Sequence, residues 1–362
     1  MIQEKIHFEK ALRKATLVWK YTGIQINYNK NMTKNTITGH LRKRWFYVAN
    51  FICLTSAVIS VFGMVKTLSM QIILYMSPCM TFSILGDIKT FYFLYHEDLV
   101  RDIINTLQTL QALDNSTGKE TVENVFVKKH LPFLKGANNL LLFLCYSAVV
   151  TFSLGPLVIT SWLYWFTNEI KLFLPYILWY PFDEYSNVGW PLAYIHQFWA
   201  AWIAVFFVYG PDCFFYTACA FVHNQFCSLQ FDMQKIGPDY FKNKETFNKC
   251  IGGLVHRHRE LIRCIDMLNI IYGKSTLYNV VSSSFIICLA GFNIKAIDNL
   301  IMMVPFLSFM VLGSIQIFLL CYYGDLLMRA VISAYYLWAP TFSRILSSAW
   351  SYFTLLNTMY SK

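Results

Sequence analysis

Apolar residues along this chain gather into seven stretches whose length matches a hydrocarbon core. A core of roughly 30 Å needs about 20 helical residues, and segments 45–65, 68–89, 139–162, 192–221, 276–293, 300–323 and 344–360 approach it. The last is the shortest and most polar. Between the stretches the pattern turns periodic. Leu99, Ile103, Leu107 and Leu110 recur at helical spacing, as do Ile251, Leu254, Leu261, Ile265 and Leu268, so amphipathic helices are expected to extend the bundle beyond the membrane. The predicted plan is an amino-terminal segment 1–44, one membrane domain over 45–360, helical extensions near 90–137 and 223–275, and an outer loop 163–191. No internal repeat, low-complexity tract or Pro/Gly linker marks a second domain. The expected fold is all-α and polytopic.

Composition supports that class. The chain is 56% hydrophobic and 14% charged, with mean hydropathy +0.42, too apolar for an ordinary soluble protein. A net charge of +10 raises the question of nucleic acid, but the basic residues are scattered between apolar spans without a recognition motif. Their placement reports orientation instead. Lys5, Lys10, Arg13, Lys14, Lys20, Lys30, Lys34, Arg42, Lys43 and Arg44 precede the first span, and every second connection after it is basic. The opposite connections offer only Lys66, Lys171, Lys295 and the terminal Lys362. The amino terminus is therefore expected in the cytosol and the carboxyl terminus outside, opposite to a G-protein-coupled receptor. Residues 1–44 lack the apolar core of a cleavable signal, so the first span is expected to insert directly. None of the ten cysteines falls in 163–191, which leaves no extracellular disulfide. The sequons Asn31-Met-Thr33 and Asn115-Ser-Thr117 lie on the expected cytosolic side and are usable only if the topology is inverted.

Motifs for enzymatic chemistry fail on inspection. Gly273-Lys274-Ser275 lacks the glycine-rich cradle of a phosphate loop, and His256 and His258, two apart on a helix, point in different directions and read as a solvated face. No CxxC, HExxH or GxSxG pattern occurs. No cofactor or metal is expected. Asp87 and Lys89 lie near the inner end of the second span, within reach of headgroups. Asp212 follows Gly210-Pro211, where a kink frees carbonyls that something must satisfy.

The outer half of the bundle is rich in aromatics and hydroxyls. Tyr75, Cys79, Thr151, Ser153, Trp162, Phe198, Trp202, Met303 and Phe306 are the candidate lining of an apolar cavity with a few polar groups, suited to a small volatile ligand. Interfacial belts and packing explain many of them equally well. In the last stretch Leu355 and Met359 share a helix face with Ser351, Thr354 and Thr358 beside them. Such a surface suits either small-residue packing or helices meeting around water.

Four runs carry a resemblance: Leu174-Pro-Tyr-Ile-Leu-Trp-Tyr-Pro-Phe-Asp183, Gln316-Ile-Phe-Leu-Leu-Cys-Tyr-Tyr-Gly324, Ser333-Ala-Tyr-Tyr-Leu-Trp338 and Ser351-Tyr-Phe-Thr-Leu-Leu356. Together they resemble the insect odorant receptors. The resemblance implies a ligand-gated, poorly selective cation channel that forms a heterotetramer with a common co-receptor in the plasma membrane of olfactory sensory neurons. It implies a pore lined by the last helices, with Leu355 and Met359 as apolar gate positions and Thr358 as a polar pore-lining one. It places ligand in the outer half, between helices two, three, four and six. The family normally carries an inner helix between the Trp338 motif and the last span, where this chain has only 339–343; an incomplete gene model or a splice form lacking an exon is the expected reason. The co-receptor itself is disfavoured, because 223–275 lacks its long insertion. A gustatory-type receptor is the nearest alternative, and a metabotropic seven-helix receptor the alternative from another class.

Overall fold

Backbone that crosses lipid must satisfy its own hydrogen bonds, as helices or closed barrels do. In the computed structural model, which describes residues 6–22, 37–67, 70–116, 120–168, 171–236, 244–296 and 303–332, every regular element among the described residues is helical. The order is α1 (Ile6–Thr22), α2 (Ile37–Thr67), α3 (Met70–Tyr95), α4 (Glu97–Ser116), α5 (Glu120–Thr167), α6 (Gly189–Gln234) and α7 (Lys244–Ala296), followed by α8 (Met303–Ile332). The fold is all-α, and five helices among the described residues are long and apolar enough to cross a membrane: those holding Ile72–Tyr95, His130–Thr167, Gly189–Gln234, Phe247–Lys295 and Met303–Ile332. The first expected span falls within α2. The seventh, with Leu355, Thr358, Met359 and the short 339–343 stretch, lies outside the described residues.

Helix α6 is the axis of the bundle. Its most apolar stretch is 89% buried, whereas the other four spans bury 28–33% of theirs. A helix hydrophobic on all sides belongs inside, and the one-sided helices around it face lipid. Small residues bring neighbours close to it: a Cβ on Gly86 of α3 would meet Ala204 O of α6 at 3.0 Å, so these two backbones are nearly in contact. From the other side α1 lays Phe8, Leu12, Ala15 and Trp19, all buried, against α6, with Phe8 edge-on to Phe221 at 4.8 Å. A Cβ on Gly210 would come 3.3 Å from the Trp19 indole.

Two prolines break this ladder, and side chains mend it. Pro211 has no N–H for the carbonyl of Phe207 four residues earlier. Thr90 of α3 donates its hydroxyl there at 3.1 Å. Pro78 likewise frees the carbonyl of Leu74, and Asn293 Nδ2 of α7 donates to it at 2.8 Å. Tyr272 of α7 adds a bond to the carbonyl of Pro211 itself at 2.8 Å.

Charged residues depart most from expectation. Lys89 does not lie among headgroups: it is 3% exposed, inside α3, and its ammonium reaches Asp212 Oδ1 and Oδ2 at 2.7 and 2.8 Å. Gln316 of α8 donates to Asp212 Oδ2 at 2.7 Å. A cation in the apolar interior is tolerable only when paired and hydrogen-bonded, and α6 supplies the counter-charge. Asp87 is half-buried. Within the face expected to be solvated, His256 and Arg259 are exposed but Arg257 is buried. It bonds Asp114 of α4 and, on α6, Gln225 Oε1 at 2.6 Å and Asp232 Oδ2 at 3.4 Å.

The extensions are continuous with the spans. α3 passes into α4 through His96, whose amide bonds Tyr92 O at 3.2 Å while its carbonyl takes Val100 N at 3.1 Å. The 53 residues of α7 rise roughly 80 Å at ~1.5 Å each, far beyond a ~30 Å core. Ile103, Leu107, Leu261 and Leu268 are buried at these overhanging ends.

Thr90→Val keeps the shape of the side chain but removes its hydrogen bond to the Phe207 carbonyl. It is expected to destabilise the protein by about 1–2 kcal/mol, read as a lowered thermal midpoint in nanodiscs. Thr81→Val is the control, since Thr81 only back-bonds to Ser77 O in its own helix, and it should stay within about 0.5 kcal/mol.

Candidate functional site

An apolar loop forms the roof of the site. Helix α5 stops at Asn168, whose φ of 54° is left-handed, a conformation asparagine accepts more readily than most residues. Thr160 Oγ1 then bonds Lys171 O at 3.1 Å and turns the chain back along α5. From there residues 173–180 enter the mouth of the bundle. Trp190 Nε1 holds Phe173 O at 3.1 Å, Gln197 Oε1 accepts from Tyr176 N at 2.9 Å, and the Tyr176 ring stacks on Phe152 of α5 with centroids 5.7 Å apart. Tyr180 is tied by its hydroxyl to His196 Nδ1 at 3.0 Å. Burial pushes that phenol up to about 12, so it keeps its proton. The other ring nitrogen of His196, Nε2, faces Thr55 Oγ1 at 3.4 Å and Ser56 Oγ at 3.5 Å. The loop closes tightly where α6 begins: a Cβ on Gly189 would lie 2.0 Å from Asp183 O, and Ser186 Oγ accepts the Gly189 amide at 3.0 Å.

Beneath this roof lie two adjoining cavities. The outer one, about 760 Å³, is walled by Tyr75 of α3, Val150, Thr151, Phe152 and Gly155 of α5, the loop from Phe173 to Leu178, Glu184 and Tyr185, and Val304 and Pro305 of α8. Its size and apolar lining are those of a small-molecule pocket. The inner one, about 80 Å³, lies between α2, α3, α5, α6 and α8 and is lined by Ser56, Ser60, Met76, Cys79, Gln197, Ala200, Ala201, Ala204 and Phe309 among others. Tyr176 and Leu178 belong to both linings. Among the described residues no three His, Cys, Asp or Glu side chains converge as a metal site requires.

A family model described as 7tm Odorant receptor matches residues 69–333. This chain belongs to the odorant receptor family. Its curated relatives include Odorant receptor 67c of Drosophila melanogaster, 22% identical over 272 residues, 72% of this chain and 64% of that protein. Odorant receptor 85b of the same fly is 25% identical over 69% of this chain and 63% of its own length. The chain thus spans just under two thirds of these relatives. Among solved structures the olfactory receptor OR5 of Machilis hrabei superposes with TM-score 0.77 at 14% identity, covering 92% of this chain and 83% of that one. The same receptor in complex with eugenol gives 0.69 at 13% identity over 92% and 90%. At such identity the likeness establishes the fold.

Of the residues singled out in the receptor's sequence, the structure gathers Tyr75 and Thr151 into the outer cavity and Cys79 into the inner one. Phe306 is buried behind the wall, edge-on to Tyr75 at 5.0 Å and to Phe152 at 5.8 Å. Ser153 is buried beside these, and its carbonyl accepts the Tyr194 hydroxyl. The others stand apart from both linings. Trp162 is exposed and packs on Phe166, Phe198 and Trp202 pack on each other with Trp202 against Tyr146, and Met303 opens α8 half-buried. Tyr176, Leu178 and Gln197 were not anticipated. The one available signal was an apolar run, Leu174 to Phe182, in a segment without helical periodicity, since a solvated loop has no use for it.

Gly189→Ala is expected to disrupt the roof by forcing Asp183 away, at about 1–3 kcal/mol. Thermal unfolding should show it, with Gly136→Ala as the control: nothing lies within 4 Å of a Cβ there, and alanine inside α5 should raise stability by about 0.5–1 kcal/mol.

Proposed function

We propose that this receptor is the odorant-binding subunit of a ligand-gated, non-selective cation channel, formed as a heterotetramer with the family's common co-receptor in the plasma membrane of olfactory sensory neurons. The observation that carries the reading is the roofed apolar cavity of about 760 Å³ in a chain of the odorant receptor family. A solved receptor of this fold has been obtained in complex with eugenol, a small aromatic volatile, and a cavity of this lining suits that class of molecule. Tyr75, Thr151, Phe152 and Tyr176 form the ligand's walls.

Seven spans, with the amino terminus in the cytosol, follow from the placement of lysine and arginine. The last helix contributes Leu355 and Met359 to an apolar gate and Thr358 to the polar pore wall. Ligand opens the gate only by its differential affinity for the open and closed arrangements.

Expression with and without the co-receptor tests this. Odorant-evoked cation current is expected only from the pair, and it should persist when G-protein signalling is blocked. Current that disappears under the block would transfer transduction to the metabotropic alternative. Absence of current to any volatile, with both subunits at the surface, would overturn the channel reading.

A further inference from the structure

Gln197 is fully buried and lines the inner cavity. Which end of its amide is which is decided by the roof: the Tyr176 N–H at 2.9 Å requires an acceptor, so the oxygen takes that position and the NH2 group the other. That nitrogen makes no short hydrogen bond; the Tyr180 phenol oxygen, 3.0 Å from His196 Nδ1, can take one of the amide's two hydrogens, and the other is left without an acceptor. A buried donor left unmade carries its full desolvation penalty, and a ligand that supplies the missing acceptor removes it.

We infer that the Gln197 amide is the polar selector of this receptor and favours small apolar ligands that carry a carbonyl oxygen. The inference rests on the reading that these cavities take up odorant. A carbonyl fits better than a hydroxyl because it brings an acceptor and no donor. A hydroxyl would need an acceptor in turn, and two at hand already accept, Gln197 Oε1 from Tyr176 and Ser56 O from Ser60 Oγ at 2.8 Å, so each offers at most a second lone pair. The inner cavity, about 80 Å³, admits the polar end, and the apolar body extends past Tyr176 and Leu178 into the outer one. Sites built to hydrogen-bond a ligand discriminate strongly against the analogue that lacks the group, whereas apolar contacts alone discriminate weakly.

The test uses the full chain in lipid nanodiscs, with binding followed by tryptophan fluorescence and thermal midpoint. The probes are shape-matched pairs, acetophenone against α-methylstyrene and benzaldehyde against styrene. In the wild type the carbonyl member should bind roughly tenfold tighter. Gln197→Met should abolish that preference, so that the two members of each pair bind alike. Gln197→Met also strands the Tyr176 N–H, so Ala201→Leu serves as the second variant: it narrows the inner cavity, keeps the roof bond, and should likewise remove the preference. Equal affinities in the wild type, a preference surviving either substitution, or no binding by either pair would overturn the inference. The channel reading is judged separately, by current: current without carbonyl preference defeats the selector alone, and carbonyl-selective binding without current defeats the channel alone.

Discussion

A carboxylate buried among helices must be met by a cation and by donors, or the helices do not assemble. Asp212 sets that requirement. Lys89 from α3 and Gln316 from α8 converge on its two oxygens at 2.7–2.8 Å, from positions 123 and 104 residues away in sequence. One residue earlier, the Pro211 carbonyl takes Tyr272 of α7, and one helical turn earlier the carbonyl freed by that proline takes Thr90 of α3. Three helices, α3, α7 and α8, are thus tied to one short stretch of α6, 207–212. Lipid offers no hydrophobic force between helices, so packing and such polar ties determine how they associate.

The rest of the molecule is arranged on either side of this junction. On one side the helices separate enough for two cavities, roofed by the 173–180 loop and held by Gln197, His196 and Trp190 at the start of α6. On the other they run on as long rods, joined by Arg257 to Asp114, Gln225 and Asp232. Each polar knot therefore has α6 as a member. The helix that walls the cavities is thus the same one whose far end is gripped by α4 and α7.

Much of the fold was legible because lipid imposes a length and a composition. The apolar runs, the periodic extensions with Leu107 and Leu268, and the kink at Pro211 with its unmet carbonyl were readable from residues alone. Partners were not. Lys89 looked interfacial because sequence shows only its place along a span, not the carboxylate that α6 would bring to it. Arg257 was lost in a run of charges, where every residue resembles a solvated one. For the cavity, the aromatics drew the eye: Phe198 and Trp202 pack with one another, while Ala200, Ala201 and Ala204 on the same helix leave the space. A helix buried on every side has no amphipathic signal to say which face is which. Gln197, a single amide in an apolar run, has no partner until the folded loop brings the Tyr176 N–H to it.

The Lys89–Asp212 pair is the tie that fixes α3 to α6. The direct test is a double-mutant cycle with Lys89→Met and Asp212→Leu, read as unfolding stability of the full chain in nanodiscs. Each single substitution leaves a buried charge unpaired and should lower stability by about 3–5 kcal/mol, whereas the double should recover most of that loss. Small single effects that simply add in the double mutant would contradict it.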